Sequence, residues 1–278
     1  MDSSIVHRIR ELIIENEARL PYLFATVAAL VLYGLYTSLW YFPITYKKNP
    51  KFGQRRALCK TIAHRGSRGE GLPENTIAAF RDAVAAGADV VELDVWLTSD
   101  QKVVVHHDVT LSRMTRGASH QRIADVKYSD IPPITVTKAQ AKRMEGFSKR
   151  ECLTIPLFED VLAAIPHPTV INIEFKQNSD VLISEVKRIL AENDRTADVF
   201  WFSLNEKINK KLRAADPSIP TITSISGVLK YLALYYVGLL PFFPIHDQVF
   251  GITVEEVRTA YANFMSPVAF RPTFPITY

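Results

Sequence analysis

The sequence predicts an α/β fold, a TIM-type (β/α) barrel preceded by one transmembrane helix. Short β-rich runs alternate with helical stretches over most of the chain, the pattern of a parallel sheet joined by crossover helices. These strand-helix units recur at similar size, which favours a barrel over the runner-up, a Rossmann-like sheet. Before them lies "LPYLFATVAALVLYGLYTSLWYF", Leu20 to Phe42, which carries no charge and is long enough to cross a bilayer core. With 278 residues, 47% of them hydrophobic, the chain has ample material for a buried core.

Residues 1–19 read as an N-terminal segment and residues 20–42 as the span. Tyr36, Trp40, Tyr41 and Phe42 gather at one end of it, where aromatic rings suit a membrane interface. A cleaved signal peptide would have a shorter apolar core and a small-residue cleavage site. Here "TSLWYFPITYKK" is bulky, so the helix reads as an uncleaved anchor. Residues 43–59 form a basic linker. Lys47, Lys48, Lys51, Arg55, Arg56 and Lys60 follow the span, against Arg8, Arg10 and Arg19 before it, which directs the next domain to the cytoplasm.

Residues 60–278 make up the barrel domain. "CKTIAHRG" is its first strand; Asn75 caps the helix "TIAAFRDAVAAG", Gly87 ends it, and the apolar strand "DVVELDVWLT" follows. "SDQK" then turns the chain back into "VVVHHD". Further on, "IPLFEDVLAAI", "DVLISEVKRILAEN" and "EKINKKLRAA" have helical periodicity, and "TVINIEFK", "DVFWFSL" and "TITSIS" read as strands. That makes about six of the eight barrel strands before the chain reaches "MSPVAFRPTFPITY", so the barrel is expected to be incomplete at its C-terminal end. Two regions break the rhythm. Residues 109–155 look like an irregular insertion. Residues 228–245 include "YLALYYVGLLPFFPI", which is apolar but interrupted by Gly238, Pro241 and Pro244. Too short for a second span, this stretch reads either as a buried helix or as a segment dipping into the membrane surface.

The net charge of +4 is modest and the basic residues are spread out, so nucleic acid is not an expected partner. Cys59 and Cys152 are too few and too far apart for a disulfide framework or a zinc site.

Glu92 and Asp94 stand two apart in an otherwise apolar strand, so they share a face. Burying two unpaired like charges is costly unless the face opens on water or a divalent cation lies between them. A solvated strand face is the plain alternative. If "SDQK" closes a hairpin with residues 99–102 at its tip, antiparallel pairing sets Asp94 opposite His107. The choice of His107 over His106 rests partly on that register, and Gln101 stands where a glycine would ease the turn. In "INIEFK", Glu174 and Lys176 again share a face, either as a surface ion pair or as a third carboxylate and a basic group at the barrel mouth. His64 and Arg65 close the first strand and reach the same mouth. A cation, two histidines and two basic groups around one opening suit phosphodiester cleavage. Arg65 would meet the phosphate, and His64 and His107 would move protons, with His107 as a metal ligand the alternative.

In order and spacing, "AHRG", "PENTIAAF", "GADVVELDVWLTSD" and "VVVHHDVTLSRMT", continued by "IPLFEDVL" and "INIEFK", resemble the glycerophosphodiester phosphodiesterase family. The resemblance implies a TIM barrel, a divalent cation, Mg2+ or Ca2+, and hydrolysis of glycerophosphodiesters to an alcohol and glycerol 3-phosphate. It also implies catalysis by His64 and His107, metal ligation by Glu92, Asp94 and Glu174, and phosphate contacts from Arg65 and Lys176. The anchor together with "GVLKYLALYYVGLLPFFPI" is similar to the membrane-bound branch of that family. That likeness implies lysophospholipase D action on lysophospholipids or N-acyl glycerophosphoethanolamines, releasing the head-group alcohol or amide and a lysophosphatidic acid. Membrane lipids and such substrates are then the expected partners, and the endoplasmic reticulum membrane the expected location. Two other readings stay open: a catalytically inactive membrane protein that keeps the motif on an open barrel, and a phospholipase C-like barrel, against which the "PENT" and "ELD" context speaks.

Overall fold

The computed structural model describes residues 3–41, 61–67 and 71–251. The basic linker with its lysines and arginines, Phe42 and the C-terminal residues 252–278 lie outside the described residues. The chain divides into two compact units, one of the N-terminal helix with residues 233–245, the other of the barrel region. In the first, helix α1 runs unbroken from Ser3 to Tyr41. Its stretch Arg19–Leu39 is long and apolar enough to cross a membrane, and the side chains from Leu20 to Leu35 are exposed.

The second unit begins with strand β1, Ile62–His64, followed by helix α2, Ile77–Ala85. The N-cap of α2 is Thr76, whose hydroxyl accepts from the Ala79 N–H at 3.2 Å, and not Asn75 as the sequence suggested. Gly87, at φ +90°, follows the helix end in the left-handed conformation expected there. Strand β2, Val90–Leu97, is buried along its whole length, and β3, Val103–Val105, returns antiparallel upon it.

The insertion is more ordered than its sequence promised. It holds 3₁₀ turns at Ile123–Asp125 and Tyr128–Asp130, then helices α3, Lys138–Arg143, and α4, Lys149–Leu153. Thr137 and Ser148 close reciprocal capping boxes with Gln140 and Glu151. Beneath them Trp96, Val104, Leu111, Met114, Ile123 and Ile155 form an apolar cluster of their own. Sequence periodicity could not reveal it, because side chains from turns close over Trp96 of β2 and Val104 of β3.

Helix α5, Phe158–Ala164, leads to strand β4, Val170–Phe175; α6, Asp180–Glu192, leads to β5, Val199–Phe202; α7, Glu206–Ala215, and α8, Ile225–Tyr236, follow. The parallel order is β1-β2-β4-β5, with β3 off this path. Beyond β5, Thr221 bridges Trp201 and Val249 bridges Ile222, both parallel. The arc therefore reaches the six positions expected, but "VVVHHD" is not among them and Val249 takes the sixth place. Phe80, Leu93, Ile173, Phe175 and Trp201 pack in the main core, with Phe175 and Trp201 edge to face at 5.9 Å.

The apolar stretch at 228–245 is not a buried helix. Gly227, Val228 and Tyr231 face inward, but Tyr235, Tyr236, Val237, Leu239, Phe242 and Phe243 are exposed.

One glycine decides how closely the first turn packs. Gly66, at φ +77°, lies so near α2 that a Cβ would stand 2.7 Å from the Ala79 carbonyl carbon. At Gly87 a Cβ would meet nothing within 4 Å. Gly87→Ala should cost about 1 kcal/mol of left-handed strain, and Gly66→Ala at least about 3 kcal/mol because backbone overlap is added. Urea unfolding of the full chain in detergent checks this; equal losses would contradict the close-approach argument.

Candidate active site

Two neighbouring parallel strands, β2 and β4, bring the acidic residues together, and β1 adds His64 beside them. The β1-β2 register pairs His64 with Glu92, and the β2-β4 register pairs Asp94 with Glu174. Because alternate residues share a face, Glu92, Asp94 and Glu174 converge, and one oxygen of each lies within 4.8 Å of the others. All three are buried, Asp94 completely. The solvated-face alternative is thereby excluded. Lys176 adds its ammonium at 3.1 Å from Asp94 Oδ1 and 2.7 Å from Glu174 Oε1. The surface ion-pair reading fails too, since the Lys176 side chain is only 13% exposed.

Arg65 sits in the turn after β1 at φ +59°. Its N–H donates to Glu92 Oε2 at 3.0 Å, its Nη1 donates to Glu74 Oε1 at 3.1 Å, and its Nε lies 3.4 Å from Asp94 Oδ2. His64 Nε2 stands 3.7 Å from Glu92 Oε2, on a side chain 36% exposed and so within reach of a ligand.

The electrostatics are those of a crowded acidic pocket. Burial raises the Glu92 carboxyl well above its ordinary range, with repulsion from Asp94 and Glu174 adding to it. Burial likewise pushes Glu174 up to about 7 against the pull of Lys176. Burial works to lower the Lys176 ammonium, but Asp94 and Glu174 outweigh it and hold it raised.

The hairpin register differs from expectation by one residue. Val95 pairs with Val105, and His106 N–H donates to the Asp94 carbonyl, so His106 and not His107 stands opposite Asp94. The cause is Gln101, which adopts φ +60° and closes the loop in three residues, 99–101, instead of four. His106 is buried, and its Nε2 donates to the Thr110 carbonyl at 3.2 Å. His107 is half-buried, and its imidazole Nδ1 pairs with the neighbouring Asp108. The strand register used to choose His107 is thus that of His106.

Four further residues join this place. Asn75, buried at φ +57°, donates through Nδ2 to Asp94 Oδ2 at 2.8 Å. Asp108 accepts from His107 Nδ1 at 2.6 Å and from Arg113 Nε at 2.5 Å, while Arg113 also donates to Glu74 Oε1 at 2.6 Å. Burial works to raise Asp108 and Glu74, but these hydrogen bonds hold both carboxyls low. "PENT" and "HHD" carried all but Arg113, yet only their loop conformations turn these side chains toward the site.

Glu92 Oε1 and Asn75 Oδ1 are buried oxygens without a hydrogen-bond partner. Buried acceptors of this kind call for a cation or donor, and three carboxylates with oxygens within 4.8 Å of one another are the hard-oxygen set that suits a divalent ion. The donor set fits such an ion. Residues 64–259 match the glycerophosphoryl diester phosphodiesterase family.

The chain belongs to that family. Human lysophospholipase D GDPD1 is 39% identical over 208 residues, covering 73% of this chain and 64% of that protein. Human lysophospholipase D GDPD3 is 33% identical over 189 residues, covering 68% and 58%. The chain thus spans less than two thirds of the length of either human relative. A solved Oleispira antarctica phosphodiesterase, in complex with the product sn-glycerol-3-phosphate, is similar in fold with a TM-score of 0.54 and 23% identity, covering 75% of this chain and 90% of that one. Family membership and this likeness agree with the TIM-type barrel read from the strand order.

Proposed function

We propose that this chain is a membrane-anchored, metal-dependent phosphodiesterase of the lysophospholipase D type. The observation that carries the reading is the convergence of three buried carboxylates, one oxygen of each within 4.8 Å of the others and Glu92 Oε1 partnerless, with Arg65, Lys176 and His64 beside them. Glu92, Asp94 and Glu174 would hold the divalent ion, Mg2+ or Ca2+. When bound, that ion supplies positive charge for the phosphoryl oxygens and the nucleophile.

The chain's own residues do the rest. Arg65 and Lys176 orient the phosphate and spread its developing charge. His107 donates Nδ1–H to Asp108, which fixes its tautomer and leaves Nε2 as the atom that accepts or returns a proton. His64 takes the complementary role, so one imidazole takes a proton from the nucleophile and the other protonates the leaving alkoxide. Asp108 depends in turn on Arg113. Arg113→Gln is expected to lower kcat about tenfold with little change in KM, because His107 loses its orientation and not its place. A purely structural role for Arg113 would leave kcat unchanged in folded protein.

Likeness to the human lysophospholipases D and the span in α1 support lysophospholipids or N-acyl glycerophosphoethanolamines as substrates, the former giving a lysophosphatidic acid and the latter glycerol 3-phosphate with the N-acyl ethanolamine. An acyl chain left in the bilayer would present its head group to a tethered barrel. The positive flank supports a cytoplasmic barrel on a single-pass anchor, and the endoplasmic reticulum is the membrane proposed.

The test is choline release from lysophosphatidylcholine by the full chain, with Mg2+, with Ca2+ and with chelator, beside His64→Ala. Release that needs the metal and is lost in His64→Ala supports the assignment. No release from folded protein, on ethanolamine-containing substrates as well, would favour an inactive membrane protein.

A further inference from the structure

We propose that residues 235–243 form a second membrane-contact element, lying in the interface of the bilayer that α1 crosses, at the C-terminal end of the span. This rests on reading α1 as a span. Tyr235, Tyr236, Val237, Leu239, Phe242 and Phe243 are all exposed, Tyr236 to 81% and Val237 to 66%. The whole stretch from Tyr231 to Ile245 contains no charged side chain. So continuous an apolar surface is unfavourable in water.

What covers it follows from where it is attached. Within the same compact unit, the Tyr36 hydroxyl of α1 donates to the Gly238 carbonyl at 2.9 Å, and the Tyr36 and Phe242 rings stack at 6.4 Å. Gly238, at φ +73°, permits this approach, since a Cβ there would run into the Tyr36 hydroxyl. Tyr36 lies three residues inside the end of the stretch Arg19–Leu39, or about 5 Å along the helix axis. A segment bonded to it sits at the depth where head groups meet acyl chains.

Its chemistry matches that depth. Tyr and Phe rings favour the interface, and there the Tyr36 hydroxyl and the carbonyls of an irregular turn can still meet water. Crossing the membrane is not open to it. Residues 233–245 are interrupted by Gly238, Pro241 and Pro244, and a span needs about 20 apolar residues.

The experiment places an environment-sensitive fluorophore on single cysteines, Val237→Cys, Val27→Cys or Lys210→Cys, in the full chain with Cys59→Ser; Cys152 is fully buried and escapes labelling. The chains are reconstituted in phosphatidylcholine vesicles whose acyl chains carry bromine at a shallow or a deep position. Position 237 should be quenched at least about threefold more than position 210, and most strongly by shallow bromine; position 27 should respond most to deep bromine. Quenching at 27 but not at 237 would overturn the inference and leave the anchor standing. Strongest quenching at 237 by deep bromine would make the segment a span and also overturn it. No quenching at 27 would remove the anchor and the inference together. Protection at 237 that disappears on dilution to one chain per vesicle would assign the face to a second copy instead.

Discussion

Glu92→Gln is expected to reduce turnover at least about a thousandfold, the scale of losing several kcal/mol of charge stabilisation, while the chelated variant unfolds at a higher temperature than the chelated parent. The two effects share one cause. The Glu92 carboxyl is disfavoured as an anion by burial and by the neighbouring carboxylates Asp94 and Glu174. The amide is almost the same size, so no cavity opens, and its oxygen can still accept the Arg65 N–H that Glu92 Oε2 accepts at 3.0 Å. What disappears is one of the three carboxylates that would hold a cation, and with it much of the site's affinity for one. Activity and stability should therefore move in opposite directions, as they do where a site is held under electrostatic strain. Choline release and thermal unfolding, each with and without metal, measure both. A variant less stable than the parent under chelation, or as active as the parent with metal, would contradict the assignment.

The pH dependence of stability should reverse when a divalent ion is added. Glu174 is raised from 4.5 to about 7 in the folded chain, and Glu92 moves in the same direction. Both hold their protons more tightly folded than unfolded. Their contribution is therefore fully present below about pH 4.5 and is lost as pH rises through the folded values. The chelated chain should thus lose stability from about pH 4.5 to about pH 7 on account of these groups. A cation that binds only the ionised, folded site adds stability by mass action, about 2.7 kcal/mol at a hundredfold excess over its dissociation constant, and gains most where the carboxyls are ionised. Melting curves from about pH 5 to about pH 8, with chelator or with millimolar Mg2+ or Ca2+, make the comparison. Parallel curves would mean that the carboxylates do not hold the ion. In the Glu92→Gln chain the metal-dependent separation should shrink.

Some of the site was legible because strand periodicity is a local property. Glu92 with Asp94, and Glu174 with Lys176, had to share a face as soon as their segments were strands, and the apolar residues between them made burial the natural reading. His64 and Arg65 followed from their place at the end of the first strand. The histidine in the hairpin was harder. The pairing used to choose His107 is that of His106, because one left-handed residue, Gln101, shortened the loop. A non-glycine residue at positive φ is uncommon, and nothing in "SDQK" announces it. Asn75 shows the same difficulty. A helix-capping residue and a donor to a buried aspartate are written with the same letter, and only φ +57° separates the roles.

By itself, the sequence determined the class of the fold, the apolar span and the carboxylates that belong together, since each depends on spacing along one element. The tertiary structure decided which loop side chains reach those carboxylates, that Arg113 joins Asp108 to Glu74, and that Tyr235, Tyr236, Val237, Leu239, Phe242 and Phe243 stay exposed in the segment bonded to Tyr36. These depend on turn conformations and on contacts between residues far apart in the chain, such as Tyr36 and Gly238. Local periodicity carries no record of such contacts, because their free energy appears only when the distant partners meet.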